Sequence, residues 1–436
     1  MRRLILGAIL LLTLATGVHA QTPPPIIFVH GNGDTAGLWI TTFWRFEANA
    51  YPRDRLFALD LRYPSARTVD ATPQPGRSST TEVRDQLAAE VTRVRALTGA
   101  DKVILVAQSR GGNTVRNYIK NGGGAAFVSL AVLCGAVNHG VLVSDKILLG
   151  SEFNGGSDFM KDLNSTPGEI VAGVRFVTIR STQDDKFAQP DGAYLGAKGM
   201  PTGVGFDGPA LKGAENIAIN GLDHRETGYG IAAFPALFKA VTGRPPTVLV
   251  PPAEPVVVVN GVVTGFEAGE PTNIAIPGAA VTVWKVASGD RVGPPLRQVT
   301  TGADGVWGPI TVSPTDALEF EIAAQGLPVT HIFRAPLPRS SNILHLRPYP
   351  FGKTDSTAEA VVYLSRPRGY FGIGRDTIQL DGAQPSDVPP GVPSSSTARL
   401  ATTAGRVVVG QFNDEIVTAR SFKVADNQVS VIEITE

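Results

Sequence analysis

The stretch Lys102 to Tyr118, K-V-I-L-V-A-Q-S-R-G-G-N-T-V-R-N-Y, constrains this chain more than any other. Val103 to Val106 is an unbroken apolar run rich in β-branched side chains, the pattern of a strand buried on both faces of a parallel sheet. It runs into Ala107-Gln108-Ser109-Arg110-Gly111-Gly112 and then into a helix-compatible segment. A serine on a sharp strand-to-helix turn, with small residues two positions before and after it, has the pattern of a nucleophile elbow. Small residues are needed there because the turn brings strand and helix backbones together around the serine. G-x-S-x-G is the commoner form; Ala107 replaces the first glycine and still meets the steric requirement. A plain βα turn containing Ser-x-Gly-Gly would look the same locally, so the rest of the chain must decide.

At 436 residues the chain suits about two or three domains. With 43% hydrophobic and 18% charged residues it can bury sizeable cores. Lys+Arg and Asp+Glu balance at 39 each, so bulk charge does not point to nucleic acid. Arg2 and Arg3, the apolar run Leu4 to Ala15 and the small residues around Val18-His19-Ala20 have the pattern of a cleavable signal peptide over residues 1–20. The mature chain is then expected to begin near Gln21 and to be secreted or periplasmic. No later run is long and apolar enough to span a bilayer. Cys134 is the only cysteine, which excludes an intrachain disulfide.

The first half alternates strand and helix patterns, which predicts a mostly parallel sheet with helices on both faces. Ile26 to Val29 is a second buried-strand run, ending in His30-Gly31-Asn32-Gly33-Asp34. A strand followed by H-G-x-G accompanies a nucleophile elbow, because its loop turns a backbone N–H toward a forming oxyanion. Ala36 to Tyr51 reads as a helix of high aromatic density, and Leu56 to Leu59 as a strand. Ser79 to Thr98 is a helix with a Ser79/Glu82 capping box and an apolar stripe of Val83, Leu87, Val91 and Val94. Ala126 to Leu133, Arg175 to Ile179 and Asn216 to Ile219 are further strands, and a helix over Glu226 to Val241 closes this half. Two readings stand for 141–165: a short cover over the site whose apolar side chains meet a lipid-like substrate, or a packed surface excursion.

Serine, acid and histidine follow in the order of this architecture: Ser109, then Asp184 or Asp185, then His224, each in a loop after a strand. His224 suits a general base because a neutral imidazole titrates near neutrality. The acid would hold its tautomer and stabilise the imidazolium. The oxyanion would lie between the backbone N–H groups of Asn32 and Arg110. Position argues against the other histidines. His30 belongs to the loop before the first helix, His139 precedes the acid, and His331 and His345 fall in a later β-rich region. Asp223 adjoins His224 and is badly placed to reach its ring. No cysteine or histidine cluster has structural-metal spacing and no nucleotide-binding glycine loop is present, so neither metal nor cofactor is expected.

H-G-N-G, A-Q-S-R-G-G, G-A-V-N-H-G with G-S-D-F-M-K-D-L-N after it, and D-K-F-A-Q-P followed by L-D-H together resemble the secreted α/β-hydrolase lipase/esterase family. The resemblance covers roughly Pro25 to Gly243. It implies an α/β-hydrolase fold, carboxylic-ester hydrolysis through an acyl-enzyme on Ser109, and, from the D-x-x-x-Q-P setting, Asp185 as the acid. Gln108 and Arg110 differ from the histidine and methionine often found beside the serine in that family.

Residues 244–255 are proline-rich and are expected to be a linker that ends the catalytic domain 21–243. Helical periodicity then disappears. Val256 to Thr264, Ala279 to Val286, Leu296 to Thr301, Leu318 to Ala323, Val329 to Phe333 and Asn342 to Leu346 read as strands, with a hairpin-type turn at Ala303-Asp304-Gly305. They predict a β-sandwich-like domain over 256–348. More strands, and a Pro/Ser-rich loop over 384–397, predict a second β unit at 349–436 or an extension of the first. This layout, with V-T-H-I-F-R-A-P-L-P-R-S-S-N, is similar to an archaeal two-domain lipase whose C-terminal β-domain helps bind lipid. The substrates implied are lipid-like esters, with interfacial contact at a lipid surface. The alternatives are a polyester such as a polyhydroxyalkanoate or cutin-like polymer, with the β region as polymer-binding module, and a non-catalytic binding protein on the same scaffold.

Overall fold

Six short aliphatic runs of the first half pair side by side, all in parallel: β1 (Ile26–Val29), β2 (Leu56–Leu59), β3 (Val103–Gln108), β4 (Val128–Cys134), β5 (Arg175–Ser181) and β6 (Glu215–Ile219). Their order across the sheet is β2-β1-β3-β4-β5-β6. The structure is a computed structural model that describes residues 22–436 apart from 196, 389–392 and 403. The expected signal peptide and its cleavage point therefore lie outside the described residues. Among those described, no helix is long and apolar enough to cross a membrane.

Because successive side chains of a strand point to opposite faces, β1 feeds two cores. Ile27 and Val29 join Leu105, the α2 (Thr80–Thr98) stripe Val83, Leu87, Val91 and Val94, and Val115 and Ile119 of α3 (Arg110–Asn121). Ile26 and Phe28 join Ile104, Val106, and the aromatics of α1 (Ile40–Ala48) and the closing helix. The α2 capping box forms as expected: Ser79 Oγ accepts from Glu82 N, and the Glu82 carboxylate accepts from Ser79 N at 2.6 Å. The aromatic-rich segment after β1 is core. Phe28 packs on Trp39 and Phe43 with ring centroids 5.1 and 5.0 Å apart, and none of its large side chains is exposed.

The helix expected over Glu226 to Val241 is two helices, Glu226–Tyr229 and Phe234–Thr242. Pro235 has no N–H to donate to a preceding turn, so it sits in the first turn of the second helix instead. The expected strand Val256 to Thr264 is also broken, into Val257–Val259 and Thr264–Glu267. At Gly261 the chain passes so close to Leu344 that a Cβ would lie 2.0 Å from the Leu344 carbonyl oxygen. Residues 342–346 are not a strand; Leu344 N donates to Asn260 O at 3.0 Å, and Leu346 forms an isolated bridge with Val263. The 303–305 turn exists, with Gly305 at φ +67, but it joins strands of two different sheets rather than a hairpin.

The C-terminal region consists of mostly antiparallel strands. Its largest sheet has eight strands, and Gln428–Glu433 lies in it between Val329–Arg334 and Ala360–Ser365, parallel to both. Strands of 349–436 thus extend the sheet begun in 256–348. The apolar core of this region is continuous with that of the first half: Trp307, Phe320 and Val259 belong to the same buried cluster as Phe28, Phe43 and Phe234.

A polar tie crosses the same seam. His345 Nε2 lies 2.6 Å from Asp60 Oδ2, and Asp60 Oδ1 accepts from Ala36 N at 2.7 Å. Burial would raise the Asp60 carboxyl, but the charge and hydrogen bond of His345 outweigh it and hold it down at about 2. A carboxylate held below its unfolded value of about 3.9 contributes stability that is present above about pH 4 and is lost as the pH falls toward 2. Melting temperatures measured down a pH series should therefore fall less steeply below about pH 4 in Asp60→Asn than in the wild type. Identical acid slopes would show that the tie does not act.

Candidate active site

Parallel strands deliver the loops that follow them to one edge of the sheet. The loops after β1, β3, β5 and β6 carry Asn32, Ser109, Asp185 and His224 respectively. Ser109 stands between β3 and α3 at φ +53, ψ −125, a region that side-chain-bearing residues rarely occupy. Its neighbours impose this geometry. A Cβ on Gly111 would lie 2.6 Å from Val29 O, one on Gly112 2.4 Å from Ala136 Cβ, and one on Gly31 2.9 Å from Ser109 Cβ. The steric requirement inferred for the elbow is thus met by three glycines from two loops, while Ala107 lies fully buried in the strand.

His224 is buried, and its Nδ1 lies 2.7 Å from Asp185 Oδ1. That oxygen also accepts from Phe187 N at 2.9 Å, which fixes the carboxylate. Asp185 rather than Asp184 is the partner. A carboxylate on Nδ1 places the ring proton there and leaves Nε2 as an acceptor. Among the described residues His224 Nε2 has no hydrogen-bond partner, and His224 and Ser109 line the same cavity. The histidine backbone is pinned by Gln108 Nε2 and Thr227 Oγ1, which donate to its carbonyl at 2.9 and 2.7 Å. Asp223 points elsewhere, toward Arg366. His30 is a structural residue whose Nε2 accepts from Leu61 N.

Arg110 N is the first amide of α3, where the opening turn has no intrahelical acceptors and the helix dipole adds positive potential. The Asn32 side chain accepts from Ala66 N at 2.8 Å, holding its loop beside the cavity. Asn32 lines the cavity with Ser109, and Arg110 follows Ser109 directly in the chain. The Arg110 side chain turns away from the site. It is fully buried, pairs with Glu152 at 2.6 Å and donates to Pro64 O at 2.9 Å. Its partner Glu152 lies in 141–165, so this segment is fastened at its base while Val141, Leu148 and Phe153 form part of the cavity wall.

The cavity has a volume of about 140 Å³. Its apolar wall is completed by Val137, Phe187 and Tyr370, the last supplied by the C-terminal region. Lys186 lies beside it, its Nζ 3.8 Å from the Tyr370 ring centre, and burial together with the nearby Arg225 pushes its ammonium down to about 8. A larger and more polar cavity of about 260 Å³ is also lined by Asp34 and Arg225, but Ser109 and His224 do not line it. One group with metal-like spacing, Glu319, Glu321 and His331, forms in the β region by cross-strand register. The Arg291 guanidinium already pairs with both its carboxylates.

Sequence position alone could not assign Tyr370, Arg225, Asp34 or Glu152 to the site. Only Arg225 and Asp34, within two residues of recognised motifs, carried any local signal.

The family model described as the α/β hydrolase fold matches residues 24–174, and that of the lipase C-terminal domain matches residues 256–350. Among solved structures, the chain is similar to Aspergillus fumigatus lipase B at 17% identity and TM-score 0.39, over 54% of this chain and 56% of that one. It is similar to Bacillus licheniformis lipase BlEst2 in its mature form at 19% identity and TM-score 0.38, over 51% of this chain and 93% of that one. The propeptide form of the same lipase is similar at 15% identity and TM-score 0.38, over 92% and 93%. The chain has an α/β-hydrolase layout of the lipase/esterase type, its parallel sheet followed by a β region whose first part, 256–350, is similar to the lipase C-terminal domain.

Proposed function

We propose that this protein is an exported serine carboxylic-ester hydrolase acting on lipid-like esters. The observation that carries the reading is the strained Ser109 sharing a cavity with the unpartnered Nε2 of His224, whose Nδ1 is held by Asp185. In the first half-reaction His224 Nε2 takes the Ser109 proton as Oγ attacks the ester carbonyl. The carbonyl oxygen becomes an oxyanion, stabilised by the amides of Asn32 and Arg110. His224 then returns the proton to the departing alcohol, leaving an acyl-serine. Water attacks the acyl carbonyl as His224 takes its proton, and His224 returns that proton to Ser109 Oγ as the carboxylic acid is released. Asp185 holds the imidazole and stabilises its charged form throughout.

The apolar wall supports a hydrocarbon acyl chain, and the surface beside it supports an interface. Val143, Ile147 and Leu149 are all exposed on the segment that also sends Val141 and Leu148 into the cavity wall. Neighbouring exposed apolar side chains at a site mouth suit contact with lipid. Leu149→Asp combined with Ile147→Asp should lower turnover of emulsified triglyceride by about tenfold or more while leaving a short soluble ester within about twofold, since only the interface pays the desolvation of the new charges. Equal losses on both substrates would remove the interfacial role.

The reading is tested with a fluorophosphonate probe and a series of p-nitrophenyl esters beside emulsified triglyceride and polyester films. Labelling with turnover that extends to long acyl chains is expected. A mature protein that takes no label sinks the hydrolase reading, and turnover confined to short esters or to films sinks the lipid one. Export is tested by N-terminal sequencing of the secreted protein, which should begin near Gln21; a protein that stays in the cytoplasm with Met1 in place overturns it.

A further inference from the structure

The loop that carries His224 is held by the other half of the chain. Asp223, immediately before the histidine, accepts through Oδ2 from Arg366 Nη1 at 2.7 Å and from Tyr370 N at 2.9 Å. Its Oδ1 accepts from the backbone N–H groups of Arg225 and Glu226 at 2.7 and 2.9 Å, so the carboxylate ties together the turn on which His224 sits. The second terminal nitrogen of Arg366 donates to Glu226 Oε1 at 2.6 Å and to Tyr229 Oη at 2.9 Å. One fully buried guanidinium thus grips residues on both sides of His224.

The same stretch reaches the oxyanion loop. Arg225 pairs with Asp34 at 2.5 Å, two residues beyond Asn32, and also donates to Pro367 O at 3.3 Å. Its guanidinium lies 4.6 Å from the centre of the Tyr370 ring, which forms part of the cavity wall. The histidine loop, the oxyanion loop and the wall therefore meet on residues 366–370.

Asp223 and Glu226 are both taken out of water, and two nearby carboxylates repel each other. Such a pair needs cationic partners, and among the described residues its ion pairs are with Arg366 and Arg375, both from the C-terminal region. A buried ionic network of this kind contributes little net stability compared with an apolar core, but it specifies a single geometry. Geometry is what a general base requires, since small displacements of a catalytic group are expensive in rate.

We propose that the C-terminal β region is a working part of the hydrolase site: Arg366 is a positioning residue that fixes the His224 loop against the oxyanion loop, and Tyr370 closes the cavity. This rests on the serine-hydrolase reading above. The test uses the full-length chain with Arg366→Gln, Arg366→Lys and, as control, Arg291→Gln, which removes a comparable two-carboxylate clamp remote from the cavity. Steady-state kinetics on a soluble p-nitrophenyl ester, melting temperature and rate of fluorophosphonate labelling are measured on each.

Arg366→Gln should lose about 10- to 100-fold in kcat and in labelling rate with KM within about threefold. Arg366→Lys, which keeps the charge without the fork, should recover part of that loss, and Arg291→Gln should keep wild-type kcat. A folded Arg366→Gln with wild-type kcat overturns the proposal, as does a loss carried by KM alone, or the same loss in Arg291→Gln at an equal drop in melting temperature. Should Arg366→Gln not fold, Arg366→Lys is judged by the same kcat criterion, and wild-type kcat in it overturns the proposal. A wild-type protein that neither labels nor turns over is a different result, the failure of the hydrolase reading itself.

Discussion

Ser109→Ala should lower kcat for a p-nitrophenyl ester by about 10⁴- to 10⁶-fold, leaving only the residual catalysis of a site that still binds and stabilises an oxyanion. The substitution removes Oγ, the atom that bonds the acyl group in the proposed mechanism, and nothing else. The strained backbone at φ +53 is imposed by Gly31, Gly111 and Gly112 and their close neighbours, so alanine inherits the same conformation. Melting temperature should therefore stay within about 2 °C, which separates loss of chemistry from loss of fold. Fluorophosphonate labelling should vanish. His224→Ala should match Ser109→Ala in effect, and the double variant should be no worse than either, because serine and histidine act as a unit. Ester turnover by Ser109→Ala at more than about one per cent of wild type would place the nucleophile elsewhere.

The second large effect concerns the seam. Removing residues 244–436 should leave the hydrolase half insoluble or aggregated when expressed alone. Independent domains within a chain usually meet through modest, fairly polar interfaces. Here the buried cluster under β1 and α1 runs without a break into Val257, Val259, Trp307 and Phe320. Cutting it exposes a contiguous apolar face, which soluble proteins rarely tolerate beyond a few hundred Å². Polar groups lose partners as well. Trp44 Nε1 donates to Ser340 O at 2.8 Å, and Asn273 Nδ2 donates to Asp34 O and Leu61 O, both at 2.9 Å. The segment 244–255, expected as a linker, is itself laid against α1, with Val248 O and Leu249 O accepting from Asn49 and Arg45. A truncated protein that remains monomeric by size exclusion and melts at the wild-type temperature would contradict this account.

Much of the site was legible without coordinates because its signals are local. The elbow is a run of buried strand, a serine and glycines within ten residues. The α2 helix announces itself by Ser79, Glu82 and an apolar stripe, and each side chain behaves as its position requires. The order of serine, acid and histidine along the chain translates into proximity for one physical reason. In a parallel sheet every loop after a strand emerges at the same edge, so residues far apart in sequence need only share that relation to their strands.

Other features had no such local mark. Asp184 and Asp185 are adjacent and chemically alike; only the D-x-x-x-Q-P resemblance favoured Asp185, and the fold brings that carboxylate to His224, with the Phe187 N–H holding it. The unusual arginine beside the serine holds Glu152, 42 residues away, through a buried side chain. Arg366 lies 143 residues from Asp223. The strands of 349–436 read equally well as a separate unit until Gln428–Glu433 inserts between strands from both ranges.

The sequence by itself determined the elbow, the capped helix and the set of loops from which a triad could be drawn, because periodicity, capping and turn sterics act over a few residues. Only the tertiary structure decided what Arg110 does and that the cavity and histidine loop are completed from the C-terminal region. Those outcomes are settled by burying charges and apolar faces against one another, and what each buried group requires is a partner, wherever in the chain that partner lies.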